Sequence, residues 1–180
     1  VMETYGIDLA VLDYDVYNIE AEALGQAIIY SDTGMPDVDR TKPLIQEKRD
    51  LNKLRTPNFE KDGRFPLVLE MNRLFREMTG IPEGSPGFCA PFSLAANIRG
   101  MEQLLMDMHT DPEFARELFA RITDHVLIPW IWQLKKVCPE AQGICGSDAW
   151  ASIPIVNLDI LNGRRQLDGV ARQRFSRGFV

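Results

Sequence analysis

The sequence predicts an α/β fold with parallel strands, and three observations predict it. Short apolar or small-residue runs alternate along the chain with longer stretches of helical periodicity. The order strand, helix, strand, helix recurs from Leu9 to Cys145, the pattern of a parallel sheet covered by helices. Of the 180 residues, 45% are apolar and 26% are charged, which suffices for one sizeable core.

Leu9 to Leu12 reads as a short buried strand, followed directly by Asp13-Tyr14-Asp15. Asn18 then stands as an N-cap, with Glu20 and Glu22 in the first turns and Gly25 as the stop of a short helix, Ile19 to Leu24. Ala27 to Tyr30 is a second strand candidate. Residues 31–46, with Gly34, Pro36 and Pro43 among polar neighbours, read as loop. A short helical stretch ends at Leu51 and Leu54 before Pro57. Gly63 to Met78 is a clearer helix, with Leu67, Leu69, Met71, Leu74, Phe75 and Met78 as a broad apolar face and Gly80 as its close.

Pro86 to Ala90 is the third strand candidate. Pro91 opens a helical turn, since proline suits the first helical position, and Arg99-Gly100 ends it. Glu102 to Met108 is another short helix. Asp111-Pro112-Glu113 is a helix start, and Phe114, Leu118, Ile122 and Val126 recur every four residues behind it. Pro129 is expected to kink that helix, because proline removes an intrahelical hydrogen bond. Ile131, Leu134 and Val137 extend the face. Gln142 to Cys145 is the fourth strand candidate, leading into Gly146-Ser147-Asp148.

The formal charge of −6 and the lack of a basic stripe argue against nucleic acid as a partner. No apolar run approaches the roughly 18 residues that cross a bilayer. The first ten residues carry Glu3 and Asp8 and no basic segment, so they do not read as a signal peptide. Three cysteines, Cys89, Cys138 and Cys145, make an odd set without tight spacing and place the protein in a reducing compartment, the cytoplasm. His109 and His125 stand at no ligand spacing from a cysteine, so no metal is expected on this chain. Residues 163–180 hold five arginines and one aspartate, a net of +4, which leaves −10 for residues 1–162. Residues 1–162 are read as one domain. The basic tail 163–180 is expected to be poorly ordered or not a native continuation.

Three segments carry a resemblance. Tyr5-Gly6-Ile7-Asp8 through Asp15, then Tyr17-Asn18-Ile19-Glu20-Ala21-Glu22-Ala23-Leu24-Gly25, is similar to a strand, an aspartate and an "EALG"-type helix. Gly87-Phe88-Cys89-Ala90-Pro91-Phe92-Ser93-Leu94 resembles a glycine-bearing strand end with a "GPFTLA"-type turn. Arg99-Gly100-Met101-Glu102, Leu105-Met106-Asp107 and Asp111-Pro112-Glu113 follow it in order. Gly146-Ser147-Asp148-Ala149-Trp150-Ala151-Ser152 is similar to a "GDDWAS"-type segment. Together they resemble the uroporphyrinogen decarboxylase superfamily, and its corrinoid-dependent methyltransferase branch in particular. The resemblance implies a (β/α)₈ TIM barrel, with parallel strands inside and helices outside. A whole barrel needs roughly 250 residues. Four strand candidates therefore imply a partial barrel, a fragment that is completed by missing flanks or by another copy as a homodimer.

Residues just past the strand ends of such a barrel face the substrate. By position alone Asp15, Ser93 and Asp148 fall there and are expected to share one rim. Asp15 and Asp148 are the candidate catalytic residues. Tyr17, Asn18, Phe92, Ser93, Asn97, Arg99 and Trp150 are the candidate substrate-binding residues. The resemblance matches Asp15 to an aspartate that stabilises developing positive charge beneath a macrocycle. One extra residue before the Ala-Leu-Gly signature makes Asp13 a competing match, and a plain turn aspartate is the other reading. For Asn18 an N-cap role already suffices, and Tyr17 fits a core equally well. Free N–H groups at the turn from Pro91 to Leu94 favour an anion, to which Ser93 adds a hydroxyl, and simple capping explains the same residues. Arg99 suits a carboxylate, or merely the C-terminal end of its helix. Trp150 offers a flat wall for a ring, or ordinary packing.

Asn97 stands where the resemblance places a substrate-contacting tyrosine in true decarboxylases, which turns the reading toward methyl transfer. That branch implies a methyl donor, a corrinoid protein partner and often a zinc ion on a His-x-Cys motif plus a later cysteine. The His-x-Cys motif is absent here, and the resemblance places it in the missing half, so no cofactor is expected on this chain while zinc and corrinoid are implied for the rest of the protein. A tetrapyrrole substrate, through uroporphyrinogen decarboxylation, and a non-catalytic subunit that binds a corrinoid partner are the alternatives.

Overall fold

The computed structural model describes residues 4, 15, 17–80, 86–141 and 143–148. The expected strand Leu9–Leu12, the rival Asp13, Trp150 and the tail 163–180 lie outside them. The described chain is a mixed α/β fold, with helices flanking short central strands, in the manner of a partial (β/α) barrel.

Helix α1, Ile19–Ala23, is short and buried nearly all round, with Ile19, Glu20, Ala21 and Ala23 inside. Gly25 follows it at φ 97°, the left-handed stop that the sequence suggests. The Asn18 side chain caps nothing in this helix. Its Nδ2 instead donates to Asp15 Oδ2 at 3.0 Å and to the Pro36 carbonyl at 2.6 Å. The N-cap reading is thus corrected: the amide ties two loops together.

Strand β1, Ile28–Ile29, lies where a strand was expected, but its partner is β2, Asp37–Val38, and the pairing is antiparallel. Residues 31–46 are therefore not all loop. The turn-forming run Ser31-Asp32-Thr33-Gly34 folds the chain back so that Val38 sits opposite Ile28. This pair is a hairpin and not one of the parallel strands. A 3₁₀ turn, Lys48–Lys53, is closed by a reciprocal Glu47–Asp50 capping box. Helix α2, Phe65–Thr79, ends at Gly80 in the left-handed region, with the Gly80 N–H donating to the Arg76 carbonyl. Its buried stripe is Phe65, Val68 and Asn72, while Leu67, Leu74 and Met78 face solvent. Half of the apolar face expected from the sequence is thus outward, while Leu69 packs against the core and Met71 and Phe75 are half-buried.

Strand β3, Gly87–Cys89, leads into α3, Pro91–Arg99, then α4, Met101–Thr110, and α5, Pro112–Ile122. The Asp111 carboxylate accepts the Phe114 N–H at 3.0 Å, so the expected cap operates. A π turn, Thr123–Leu127, joins α5 to α6, Ile128–Val137. Pro129 has no N–H to give, and the one-residue bulge just before it absorbs the missing bond. Strand β4, Cys145–Ser147, begins where the expected strand ends and runs parallel to β3, with Gly87, Phe88 and Cys89 opposite Cys145, Gly146 and Ser147.

Two apolar clusters fill the interior. The larger gathers Val38, Ile45, Leu51 and Leu54 with α3 and with Phe114, Leu118, Ile122 and Val126, the four-residue series seen in the sequence. The smaller sets Trp130 among Ile19, Phe65, Val68 and Leu134, its ring 4.2 Å from that of Phe65. Phe88 of β3 touches both. A Cβ at Gly146 would stand 2.7 Å from the tip of the Phe88 ring, so a side chain there would push that ring aside.

At Gly63 neighbouring backbone leaves no room for a side chain at all. The residue has φ 53°, and a Cβ would lie 2.8 Å from the Ala23 backbone nitrogen. Gly80 has a similar φ, 69°, but open space around it. Gly63→Ala is expected to cost about 3 kcal/mol or more, through backbone strain plus the clash with α1. Gly80→Ala is expected to cost about 1–2 kcal/mol, through strain alone. Urea unfolding of the two variants checks the order, and equal losses would refute the close approach of residue 63 to α1.

Candidate functional site at the strand ends

The parallel pair sets the geometry. Beyond Cys89 the chain enters α3, and beyond Ser147 comes Asp148. The Ala90 N–H donates to the Ser147 carbonyl at 2.8 Å, which keeps the two exits side by side. Ser93 is the third residue of α3, and both its N–H (2.9 Å) and its hydroxyl (2.7 Å) donate to Asp148 Oδ1. The helix has no cap from its own flank, because Ala90 occupies the N-cap position. Asp148 supplies that cap from the neighbouring strand, where the helix N-terminus favours negative charge. The anion expected at this turn is thus the protein's own carboxylate.

Tyr17 crosses the same rim. Its carbonyl accepts the Asn97 Nδ2 at 2.7 Å, and its phenol oxygen accepts the Ser147 hydroxyl at 3.2 Å. Its N–H donates to Asp15 Oδ1 at 3.1 Å. Tyr17 as a residue is 38% exposed, so part of it reaches solvent at this rim. Asp15, Tyr17, Ser93, Asn97 and Asp148 therefore form one hydrogen-bonded arc with Ser147.

Asp15 is also held from the other side. Arg64, the residue before α2, donates to Asp15 Oδ2 at 3.2 Å and pairs with Glu22. The guanidinium lies 5.6 Å from the Tyr30 ring centroid, and the Tyr30 hydroxyl donates to Glu22 at 2.8 Å. The Glu22 carboxylate contributes to raising the Tyr30 phenol above its ordinary range, behind desolvation. Sequence reading missed Arg64, which lies 49 residues from Asp15 and belongs to no motif.

Glu20 was also missed, having been read as a first-turn helix acid. It is 1% exposed. Burial pushes its carboxyl up to about 8, against the Cys89 N–H that lowers it, with Asp15 adding to the rise. Oε1 accepts that N–H at 3.0 Å, and Oε2 has no hydrogen-bond partner among the described residues. The only sequence signal was its place between buried Ile19 and Ala21 in a helix of five residues.

Two expected ligand residues are placed elsewhere. Phe92 is buried in the larger core cluster, 6.3 Å from the Phe119 ring, rather than on the rim. Arg99 grips Asp107 through Nε at 2.6 Å and Nη2 at 3.1 Å, and Nη1 donates to the Ile45 carbonyl at 3.1 Å. This buried fork joins α3, α4 and the loop before the 3₁₀ turn. A groove of about 740 Å³ on the outside, lined by Phe59, Pro66, Leu69, Arg73 and Val137, contains none of the expected site residues.

Among the described residues, no group of three or more His, Cys, Asp or Glu side chains is arranged to hold a metal ion. Cys89 is buried, and desolvation followed by the charges of Glu20, Asp148 and Asp15 raises its thiol well above the ordinary range. Cys138 is buried and donates to Asn72. These thiols do not fit the zinc site that the resemblance implies. No described helix is long and apolar enough to cross a membrane.

A helix-flanked parallel strand pair with an acid- and amide-bearing rim at its C-terminal ends has the form of a partial (β/α) barrel, the class of fold that carries its sites at strand exits. The chain belongs to the uroporphyrinogen decarboxylase (URO-D) family, whose model matches residues 1–153. It is 31% identical over 126 residues to the methylated-thiol–coenzyme M methyltransferase of Methanosarcina mazei, covering 69% of this chain and 33% of that protein. It is similar in fold to a solved methyltransferase from Methanosarcina mazei, with a TM-score of 0.76 and 21% identity, over 98% of this chain and 50% of that one. The chain thus spans a third to a half of the length of these relatives.

Arg99→Ala is expected to lower stability by about 3–5 kcal/mol, because it strands the buried Asp107 carboxylate. Urea unfolding measures this, and a loss below 1 kcal/mol would refute the structural role. Glu20 gives a pH signature. Its carboxyl holds its proton more tightly in the folded chain than the ordinary value of 4.5 allows. Its contribution is therefore fully present below about pH 4.5 and is lost as pH rises to about 8, at about 1.4 kcal/mol per pH unit. Glu20→Gln removes that slope, so the difference between wild type and variant across pH 5–8 isolates it.

Proposed function

We propose that the protein to which this chain belongs transfers a methyl group between a methylated thiol and a corrinoid protein. The observation that carries this reading is the 31% identity to the methylated-thiol–coenzyme M methyltransferase over a stretch of 126 residues. The rim supports it. Asn97, where a decarboxylase would present a phenol, has its amide on the Tyr17 backbone. Tyr17 is partly exposed beside Asp15, a surface suited to a small donor.

In this reading Asp15, fixed by Arg64, presents negative charge toward the methyl group in transit, which carries partial positive charge as its bond to sulfur breaks, the sulfur leaving as thiolate and the methyl passing to the corrinoid protein. Asp148 acts as a positioning residue, because its Oδ1 is occupied by Ser93. A zinc ion that holds the thiol as thiolate would need ligands other than the described residues of this chain. The corrinoid protein is the partner, and a cytoplasmic setting agrees with the free state of all three cysteines.

The test is methylation of a corrinoid protein by the purified whole protein with a methylated thiol, followed by absorbance. Asp15→Asn is expected to lower kcat/KM by about 10²-fold or more with the fold intact. Incubation with uroporphyrinogen is expected to yield no decarboxylated product. Coproporphyrinogen in that assay would replace this reading with porphyrinogen decarboxylation, and binding of a corrinoid protein without turnover would replace it with a scaffold role.

A further inference from the structure

We propose that Glu20 is a positioning residue whose carboxyl group holds the end of β3, and through it Ser93 and Asp148, in place beside the Asp15–Tyr17 segment. In its catalytic consequence the proposal rests on the reading of this rim as the reaction site; in its geometry it does not.

The argument begins with the ladder. The Ala90 N–H points to β4, where it meets the Ser147 carbonyl. Backbone N–H groups alternate in direction along a strand, so that of Cys89 points to the opposite edge. A neighbouring strand's carbonyl would normally receive it there. Glu20 Oε1 receives it instead, at 3.0 Å, from a residue 69 positions earlier. A side chain of α1 thus secures the β3 edge at its final residue. Two residues further on, α3 begins to meet Asp148, with Ser93 as its third residue.

The acid must do this without charge. Oε2 is buried and has no hydrogen-bond partner among the described residues, so an ionised carboxylate would leave charge poorly solvated in the core. The groups that face it do not relieve this. Asp15, from the preceding segment, adds repulsion, and the backbone N–H of Cys89 in β3 is the contact that favours ionisation most. Arg64, ahead of α2, is shared between Asp15 and Glu22. Arg99, the charged residue of α3, is turned to Asp107. Oε1 accepts from Cys89, so the proton sits on Oε2. Burial holds it there up to about pH 8. Above that pH a further negative charge would arise close to Asp15 and Asp148, whose charges already bear on Cys89 beside it.

Glutamine is the isosteric control: it keeps an oxygen for the Cys89 N–H and places a neutral donor at the second position. Alanine removes the acceptor and leaves the N–H buried and unpaired. The experiment is a pH titration from 6 to 10 of the uniformly ¹⁵N-labelled 180-residue chain, with amide exchange measured at pH 7, on wild type, Glu20→Gln and Glu20→Ala. The wild-type Cys89 amide is expected to shift with a midpoint near pH 8. In Glu20→Gln that step is expected to vanish while the protection of Cys89 and Ser93 stays within twofold of wild type. In Glu20→Ala both amides are expected to lose at least tenfold in protection.

A wild-type Cys89 amide with no step between pH 7 and 9 overturns the proposal, as does Ser93 protection unchanged in folded Glu20→Ala. If the alanine variant does not fold, the wild-type and glutamine titrations decide alone. Each readout is independent of methyl transfer. A failed methylation assay with an intact Cys89 step therefore sinks the functional reading and leaves the positioning role standing.

Discussion

The carboxylate of Asp148 lies against the first turn of α3, and the arrangement of the rim depends on that contact. A strand pair of three residues each is too short to align two loops by its ladder alone. The Ser93 N–H and hydroxyl, both directed at one oxygen, add a cap between elements that are 55 residues apart in the chain. A cap is worth about 1 kcal/mol, and a carboxylate at a helix N-terminus adds about 0.3–1 kcal/mol, more where it is partly buried. The gain in stability is modest, but the gain in geometry is large. With Asp148 fixed, Ser147 reaches Tyr17, and Tyr17 connects Asn97 to Asp15.

A second constraint comes from polar groups taken out of water. Arg99 and Asp107 offset each other's desolvation with a two-point ion pair, and Gln103 and the Ile45 carbonyl satisfy further positions. Glu20 follows the other route and holds a proton. The difference is availability of a cation. Arg99 is within reach of one carboxylate, whereas Arg64 is divided between Asp15 and Glu22 before Glu20 can draw on it.

Much of the fold was legible in the sequence because the signals were local. Pro91, the Asp111-Pro112 pair, Gly80 and Gly100 mark helix limits by backbone chemistry that needs no partner. The four-residue series from Phe114 to Val126 marked a buried face for the same reason. The failures were non-local. Ile28–Ile29 has strand composition, but only its pairing with Asp37–Val38 decides that it is an antiparallel hairpin. Asn18 has cap chemistry, yet Pro36 and Asp15 compete for its amide. The site divided in the same way. Asp15, Ser93 and Asp148 were visible as strand-exit residues, and Tyr17 and Asn97 as substrate-binding candidates. Arg64 and Glu20 act through contacts 49 and 69 residues away, which no spacing encodes. Arg99 was misdirected because its real partner, Asp107, sits on the next helix.

The central claim is that Ser93 and Asp148 act as one unit joining the two strand exits. A double-mutant cycle with Ser93→Ala and Asp148→Asn, read by urea unfolding at low ionic strength, tests it most directly. The account predicts a coupling energy of about 1 kcal/mol or more, with the double variant losing less than the sum of the singles. Losses that add within about 0.3 kcal/mol would contradict it, because two residues that do not meet across the rim have nothing to share.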